Sequence, residues 1–142
     1  MKTDNRSNGG RFEQRMAQIL AYNGWWAHCM VQSKAGQPAD IVAVKGGYHT
    51  LIDCKVISDK RGFPFERVED NQRLAMKLFK DLGREAGWFA LQLPDDTIWI
   101  YYMSWIERAE KAGKKRLTEE EIRRSPWPLE RWLMATDDWS KE

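Results

Sequence analysis

The sequence predicts one α/β domain, in which helices pack on a mixed sheet. Three observations support this. Strand-like runs alternate with helix-like segments along the chain, the length of 142 residues suits one domain, and a composition of 42% hydrophobic and 31% charged residues allows one core with a solvated surface. No apolar run approaches the roughly 18 residues that a membrane span requires, so we expect no membrane protein.

The N-terminal half predicts a helix followed by three strands. Phe12, Met16 and Leu20 recur at helical spacing, and the helix is expected from about Arg11 to Asn23, before Gly24. Three runs then have strand character: Trp25–Val31, Ala39–Lys45 and Tyr48–Ile57. The segment from Ser58 to Pro64 is expected to be a loop.

The second half predicts a long helix over Glu66–Leu82, ended by Gly83. Two more strands, Gly87–Leu93 and Thr97–Tyr102, flank a Pro-Asp-Asp turn, and short helices complete the chain. One of these begins at Thr118, which has capping-box spacing to Glu121. The expected organisation is a flexible segment at 1–10, a single domain at 11–136 and a polar tail at 137–142.

Composition excludes several kinds of site. The only cysteines, Cys29 and Cys54, suit a reducing compartment and cannot form a four-thiolate zinc site, and the N-terminus lacks an apolar signal core, so we expect a cytoplasmic protein. With two histidines in the chain, we expect no multi-histidine metal site. The net charge of +2 does not by itself indicate nucleic acid.

A hairpin holds the most informative pattern. Gly46-Gly47 is a two-residue turn signal, which would pair Lys45 with Tyr48. The same register places Asp40 directly opposite Asp53, on one face of the hairpin. Lys55 lies two residues beyond Asp53, so its side chain is expected on that face as well.

These charges stand among apolar residues, since valines and isoleucines fill both strands around them. Two buried carboxylates that face each other repel, and burial adds a desolvation cost. A divalent cation resolves this conflict, and Mg²⁺ is satisfied by one or two carboxylates with waters and a phosphate. Protonated Lys55 cannot bind the metal, but it can orient a water or stabilise charge on a phosphate. The alternative is a structural charge pair at a sheet edge.

The arrangement is similar to the PD-(D/E)xK nuclease superfamily, with Pro38-Ala39-Asp40 as the first acid and Asp53-Cys54-Lys55 as the D-x-K motif. The chain also resembles the RecU-type Holliday junction resolvases over about residues 9–130. The stretches that carry this resemblance are Phe12-Glu13, Gly62-Phe63-Pro64-Phe65, Asn71-Gln72, Gly87-Trp88-Phe89-Ala90-Leu91 and Gly113–Ile122. Asn71 replaces the usual histidine, and the stalk insertion of that family is missing, because only Gln32–Gln37 occupies its place.

The resemblance implies a restriction-endonuclease-like fold, a mixed central sheet flanked by helices. It implies a metal-dependent endonuclease that hydrolyses branched DNA, above all four-way junctions, by paired nicks. The cofactor would be Mg²⁺, with Mn²⁺ as a substitute. The expected catalytic residues are Glu13, Asp40, Asp53, Lys55 and Gln72. The expected metal ligands are Asp40, Asp53, Glu13 and the main-chain carbonyl of Cys54. Since a junction has two-fold symmetry, a homodimer is expected.

The cations that flank the acidic residues in sequence are expected to contact DNA phosphates. They are Arg11, Lys34, Lys60, Arg61, Arg67 and Arg73. Three alternatives remain open at this point. They are a repair or phage endonuclease that acts on flaps, ends or plain duplex, a non-catalytic DNA-binding module on the same fold, and a protein-interaction domain that uses the eight tryptophans.

Overall fold

A five-stranded mixed sheet organises the molecule. The structure is a computed structural model that describes residues 5–31, 37, 39–83 and 85–142. The strands lie in the order β1-β2-β3-β5-β6, and only β3 and β5 are parallel. Their bounds are β1 Trp26–Cys29, β2 Ile41–Lys45, β3 Tyr48–Val56, β5 Trp88–Gln92 and β6 Ile98–Tyr102. The predicted mixed sheet is confirmed.

Helices cover both faces of this sheet. Their bounds are α1 Asn5–Tyr22, α2 Asp70–Gly83, α3 Met103–Lys111, α4 Glu119–Ile122 and α5 Leu129–Trp139. Buried residues of α1 and α5 form one apolar cluster with the sheet, and buried residues of α2, α3 and α4 form a second. A separate two-stranded sheet pairs β4, Phe63–Pro64, with β7, Arg116–Leu117. None of the described helices has the length and apolar character to cross a membrane.

The predicted hairpin register is confirmed. Lys45 pairs with Tyr48, and Ile41 pairs with Ile52. Gly46 adopts φ +54°, and a Cβ there would lie 2.3 Å from the carbonyl oxygen of Ser140. The turn therefore requires glycine at this position for both its conformation and the close approach of α5.

Several elements differ from their predicted bounds. α1 begins at Asn5, and α5 continues to Trp139, into the segment expected to be a polar tail. The long helix predicted from Glu66 divides into a 3-10 turn at Phe65–Arg67 and α2, because Val68 between them has extended backbone at ψ 109°. The expected loop before it contains β4. The predicted capping box at Thr118 is present.

Candidate active site

Asp40 and Asp53 meet where the hairpin opens. β2 begins only after Asp40, whereas β3 continues to Val56, so part of β3 has no strand partner on that edge. The Asp40 carboxylate takes the place of that partner, since its Oδ2 accepts a hydrogen bond of 2.7 Å from the Cys54 N–H. Both carboxylates are buried, at 5% exposure for Asp40 and 0% for Asp53. The structure thus brings the two predicted acids together.

Gln72 holds the Asp53 carboxylate from α2. Its Nε2 donates to Asp53 Oδ1 at 2.8 Å, and its Oε1 accepts from the Glu69 N–H at 3.1 Å. These two bonds determine which way the amide points. Gln72 is therefore a positioning residue that orients one carboxylate oxygen and leaves the other free to act.

Lys55 approaches that second oxygen. Its Nζ lies 3.1 Å from Asp53 Oδ2, and the side chain is 12% exposed. This contact is an ion pair, and no described residue donates a hydrogen bond to Asp53 Oδ2. A fully buried carboxylate oxygen without a donor is costly, so this atom is poised for a further positively charged partner.

Burial and like charges disfavour ionisation at this site. Burial raises the pKa of Asp53 well above its usual range, the Asp40 charge raises it further, and the Lys55 ammonium opposes both. Glu13 lies on α1 beside Asp40. Burial, the Asp40 charge and a hydrogen bond with Asp40 raise the pKa of Glu13 to about 7, against the opposing effect of Lys55. The three predicted acids therefore form one electrostatic unit.

The Cys54 thiol points away from this unit, into the apolar cluster beneath α1, and burial raises its pKa. Its main chain behaves differently. The N–H and C=O of one strand residue point to the same strand edge. Since the Cys54 N–H bonds Asp40, its carbonyl is directed to the edge where the acids meet. Both cysteines are free thiols.

The site has oxygen donors that suit a hard cation such as Mg²⁺. Two buried carboxylates, one of them with a bare oxygen, and one main-chain carbonyl converge at the open end of the hairpin. Among the described residues, no group of three or more His, Cys, Asp or Glu side chains is placed to hold a metal. The donor set therefore fits an ion that keeps several waters, because Mg²⁺ needs only one or two carboxylates from the protein.

The predicted DNA-contacting cations fall into different settings. Arg11 and Lys60 are exposed, and exposed Arg61 pairs with Asp59 at 3.0 Å. Arg67 is half-buried and donates to the Val56 carbonyl at 3.0 Å. Lys34 lies outside the described residues.

Arg73 is already engaged elsewhere. Its guanidinium donates to both carboxylate oxygens of Glu110, at 2.7 and 3.0 Å, and to the Phe65 carbonyl. A phosphate contact would have to break this bidentate pair, because the five N–H donors of an arginine have one fixed fork geometry. Arg73 therefore links α2 to α3 through this ion pair.

The sequence interpretation missed two features near the site. Asn71 donates to the Gln37 carbonyl at 2.7 Å and so ties α2 to the chain shortly before Asp40. Arg15 lines a cavity of about 390 Å³ together with Arg11 and Val56, the last residue of β3. The spacing of four residues between the two arginines is the one sequence signal that could have paired them.

Comparison with known proteins agrees with this geometry. The family described as archaeal Holliday junction resolvase (Hjc) matches residues 4–125, most of the chain. The chain belongs to the Hjc family. The members of this family are Holliday junction resolvases, nucleases that act on branched DNA, so the prediction of an endonuclease is confirmed at the level of the family. No curated protein matches the chain.

A solved Hjc structure shares the fold. The Holliday junction resolvase Hjc of Archaeoglobus fulgidus superposes with a TM-score of 0.67 at 20% identity, covering 89% of this chain and 98% of that one. At this identity the likeness shows the fold, and the expected restriction-endonuclease-like architecture is confirmed. The family is Hjc, so the resemblance to RecU-type enzymes in particular is not confirmed. The PD-(D/E)xK superfamily is consistent with the match, and the missing stalk and Asn71 are the sequence features that depart from RecU.

Proposed function

We propose that this protein cuts four-way DNA junctions by metal-dependent hydrolysis of a phosphodiester in each of two strands. The convergence of Asp40, Asp53 and Lys55 at the open end of the hairpin carries the proposal. Membership of the Hjc family supports the choice of a branched substrate. A non-catalytic DNA-binding module would gain nothing from two buried carboxylates that repel each other.

Asp40 and Asp53 would hold Mg²⁺, or Mn²⁺ as a substitute, with the Cys54 carbonyl as a further oxygen and Glu13 assisting. The bound ion would supply an activated water and stabilise charge on the leaving oxygen. Asp53 Oδ2 supports this assignment, because it is a buried carboxylate oxygen that accepts no hydrogen bond from a described residue and is contacted by Lys55 only as an ion pair.

The protein's own residues prepare the site for this chemistry. Gln72 orients the Asp53 carboxylate through its 2.8 Å hydrogen bond. The Lys55 ammonium, 3.1 Å from the same carboxylate, is placed to orient a water and to stabilise negative charge on a phosphate. Arg11, Lys60, Arg61 and Arg67 would contact phosphates, which position the duplex without reading its sequence.

A cleavage assay on a labelled four-way junction with Mg²⁺ tests the proposal. We expect paired nicks from the wild type and at least a 100-fold loss from Asp53→Asn, since the substitution removes a charged ligand. Asp138→Asn, at an exposed position of α5, is the matched control and should cut at the wild-type rate. Equal rates for Asp53→Asn and the wild type would overturn the site.

The substrate is tested in the same assay with linear duplex, flaps and free ends. Faster cleavage of the junction supports resolution. Equal rates on all substrates would favour the second candidate, an endonuclease of repair or phage replication. The missing stalk is the sequence feature that motivates this candidate.

The exposed leucine stripe of α2 supports a homodimer. Leu74, Leu78 and Leu82 recur every four residues on one side of the helix and are 68%, 56% and 81% exposed. Contiguous exposed apolar residues commonly mark a protein interface. Two chains related by a two-fold axis would present two sites to the two strands of a symmetric junction.

Light scattering at micromolar concentration tests this part. We expect the wild type at twice the 16.7 kDa chain mass. Leu78→Glu should give the single-chain mass, because it buries a charge in the interface. Met134→Glu, on the exposed side of α5, should leave the mass unchanged. A wild-type monomer would argue against paired nicks by one dimer.

A further inference from the structure

The small sheet of β4 and β7 joins two cationic segments that are far apart in sequence. It places Pro64 opposite Arg116 and Phe63 opposite Leu117. We propose that the exposed cations around it bind phosphates of the DNA arm beyond the cleaved position. We call this surface the basic ribbon, and it consists of Lys60, Arg61, Lys115 and Arg116. The inference rests on the proposed function, since it names how that substrate is held.

Backbone contacts hold the two halves of the basic ribbon together. Gly62 adopts φ +83°, and a Cβ there would lie 1.9 Å from the carbonyl oxygen of Leu117. Only glycine permits this conformation and this approach. The Lys60 carbonyl also accepts from the Glu119 N–H at 3.3 Å, and the Lys115 carbonyl accepts from the Phe65 N–H at 2.9 Å. The loop before β4 therefore lies directly against β7.

The cations of the basic ribbon are available to a ligand. All four side chains are exposed. Among the residues that the structure describes, Lys60, Lys115 and Arg116 form no ion pair, and Arg61 pairs only with exposed Asp59. An exposed pair of this kind is weak, so a phosphate can replace it at little cost.

The acids of α4 do not neutralise the basic ribbon. Glu119 pairs with Arg123, Glu120 pairs with Arg124, and Glu121 contacts Lys114. Asp59 beside Arg61, and Glu66 and Asp70 in the depression lined by Lys115 and Arg116, offset only part of the charge of the four cations. A local excess of exposed positive charge is the electrostatic footprint that a nucleic acid backbone recognises.

The basic ribbon lies close to the active site. Lys60 follows Lys55 by five residues, a stretch that spans at most about 18 Å. Successive phosphates of one strand advance about 3.4 Å along B-DNA, so Lys60 is within about five base steps of Lys55. Arg67 donates to the Val56 carbonyl at 3.0 Å and so lies against the strand that carries Lys55. The ribbon is therefore suited to the arm that adjoins the cut.

The salt dependence of DNA binding tests the inference. The variant Lys60→Gln/Lys115→Gln removes two exposed charges and leaves the Arg116 bond to the Arg61 carbonyl intact. The slope of log affinity against log salt changes by about 0.9 for each phosphate contact. We therefore expect a slope shallower by about two for a junction bound in chelator between 50 and 200 mM salt, with an unchanged midpoint of thermal unfolding.

The matched control is Arg131→Gln/Lys141→Gln, which removes two exposed charges from the C-terminal region. It should keep the wild-type slope and the wild-type cleavage rate. Equal slopes for the ribbon variant and the wild type, or an equal change in the control, would overturn the inference.

The outcomes separate the two proposals. If the wild type cuts junctions but the ribbon variant keeps the wild-type salt slope, only the inference about the basic ribbon is wrong. If the wild type binds DNA with a ribbon-dependent slope but does not cut it, the cleavage proposal fails and the ribbon stands. If the wild type binds no DNA, both proposals are wrong.

Discussion

The two ends of the β2–β3 hairpin have opposite character. At the turn end, aromatic rings pack closely, Trp88 donates to the Tyr48 hydroxyl at 2.9 Å, and Lys45 pairs with Asp137 at 2.8 Å. At the open end, two buried carboxylates face each other, and Asp53 Oδ2 has no hydrogen-bond donor among the described residues. The turn end stabilises a register that forces charges together at the open end. The turn end of the hairpin thus contributes stability, and the open end carries the groups proposed for the chemistry.

The largest expected effect is at the turn end. Trp132 is fully buried and stacks on Trp25 at 5.6 Å. Trp132→Ala should lower the free energy of unfolding by about 3–5 kcal/mol, because it removes a large ring and leaves a cavity. Denaturant unfolding measures this change, and cleavage per folded molecule should be unaffected. Trp26→Ala, at a 60% exposed position, should change stability by less than about 0.5 kcal/mol. A large loss of stability in Trp26→Ala would contradict the division of stability and chemistry between the two ends of the hairpin.

Lys55→Met at the open end should chiefly lower activity. We expect kcat per folded molecule to fall by about 10²–10³-fold, the usual cost of removing one charge-stabilising donor. The free energy of unfolding should fall as well, because buried Asp53 loses its ion-pair partner. Lys45→Met is the mirror control at the turn end. It loses the partly exposed pair with Asp137, worth about 1 kcal/mol or less, and should keep kcat. Similar kcat losses in Lys55→Met and Lys45→Met would contradict the assignment of chemistry to the open end alone.

Asp53→Asn should stabilise the metal-free protein, by an amount on the order of 1 kcal/mol. The substitution removes a buried charge that faces Asp40, and an amide can still accept from Gln72. Thermal unfolding in chelator measures the gain. Asp137→Asn at the turn end should instead lower the midpoint slightly, because Lys45 loses its partner. A less stable Asp53→Asn would mean that its pairing with Lys55 outweighs burial and repulsion.

The smallest expected effect is a pH dependence at the open end. The pKa of Glu13 is raised from 4.5 to about 7, so the folded state binds this proton more tightly than the unfolded state. The stability that this proton contributes is complete below about pH 4.5 and is lost as the pH rises through about 7. Unfolding midpoints in chelator should therefore fall across that window, and less so in Glu13→Gln. An equally steep fall in Glu13→Gln would assign the effect to other groups.

The hairpin was predictable because its signals are local. A two-residue glycine turn and strand alternation set the register, which runs from Lys45–Tyr48 to Ile41–Ile52 and brings the next residues, Asp40 and Asp53, together. The role of Gln72 is different. The family resemblance implied a catalytic role for it, but the bond to Asp53 depends on how α2 crosses the sheet.

Other features depended on contacts between distant segments. Sequence proximity suggested that Arg73 contacts DNA, yet Glu110, 37 residues away, occupies its guanidinium. The break before α2 also escaped prediction, since periodicity continues through the extended Val68. Lys60 and Lys115 lie in separate cationic runs, and only the pairing of β4 with β7 brings them together.

Local signals were enough to predict the main helices and strands, the hairpin register and the two acids that meet at its open end, because turns and strand periodicity act over a few residues. Contacts between distant segments set which carboxylate oxygen lacks a hydrogen bond, which arginines are already paired and where exposed cations collect. These outcomes depend on helix and sheet packing over tens of residues, since burial and electrostatic energies follow distances in space rather than in sequence.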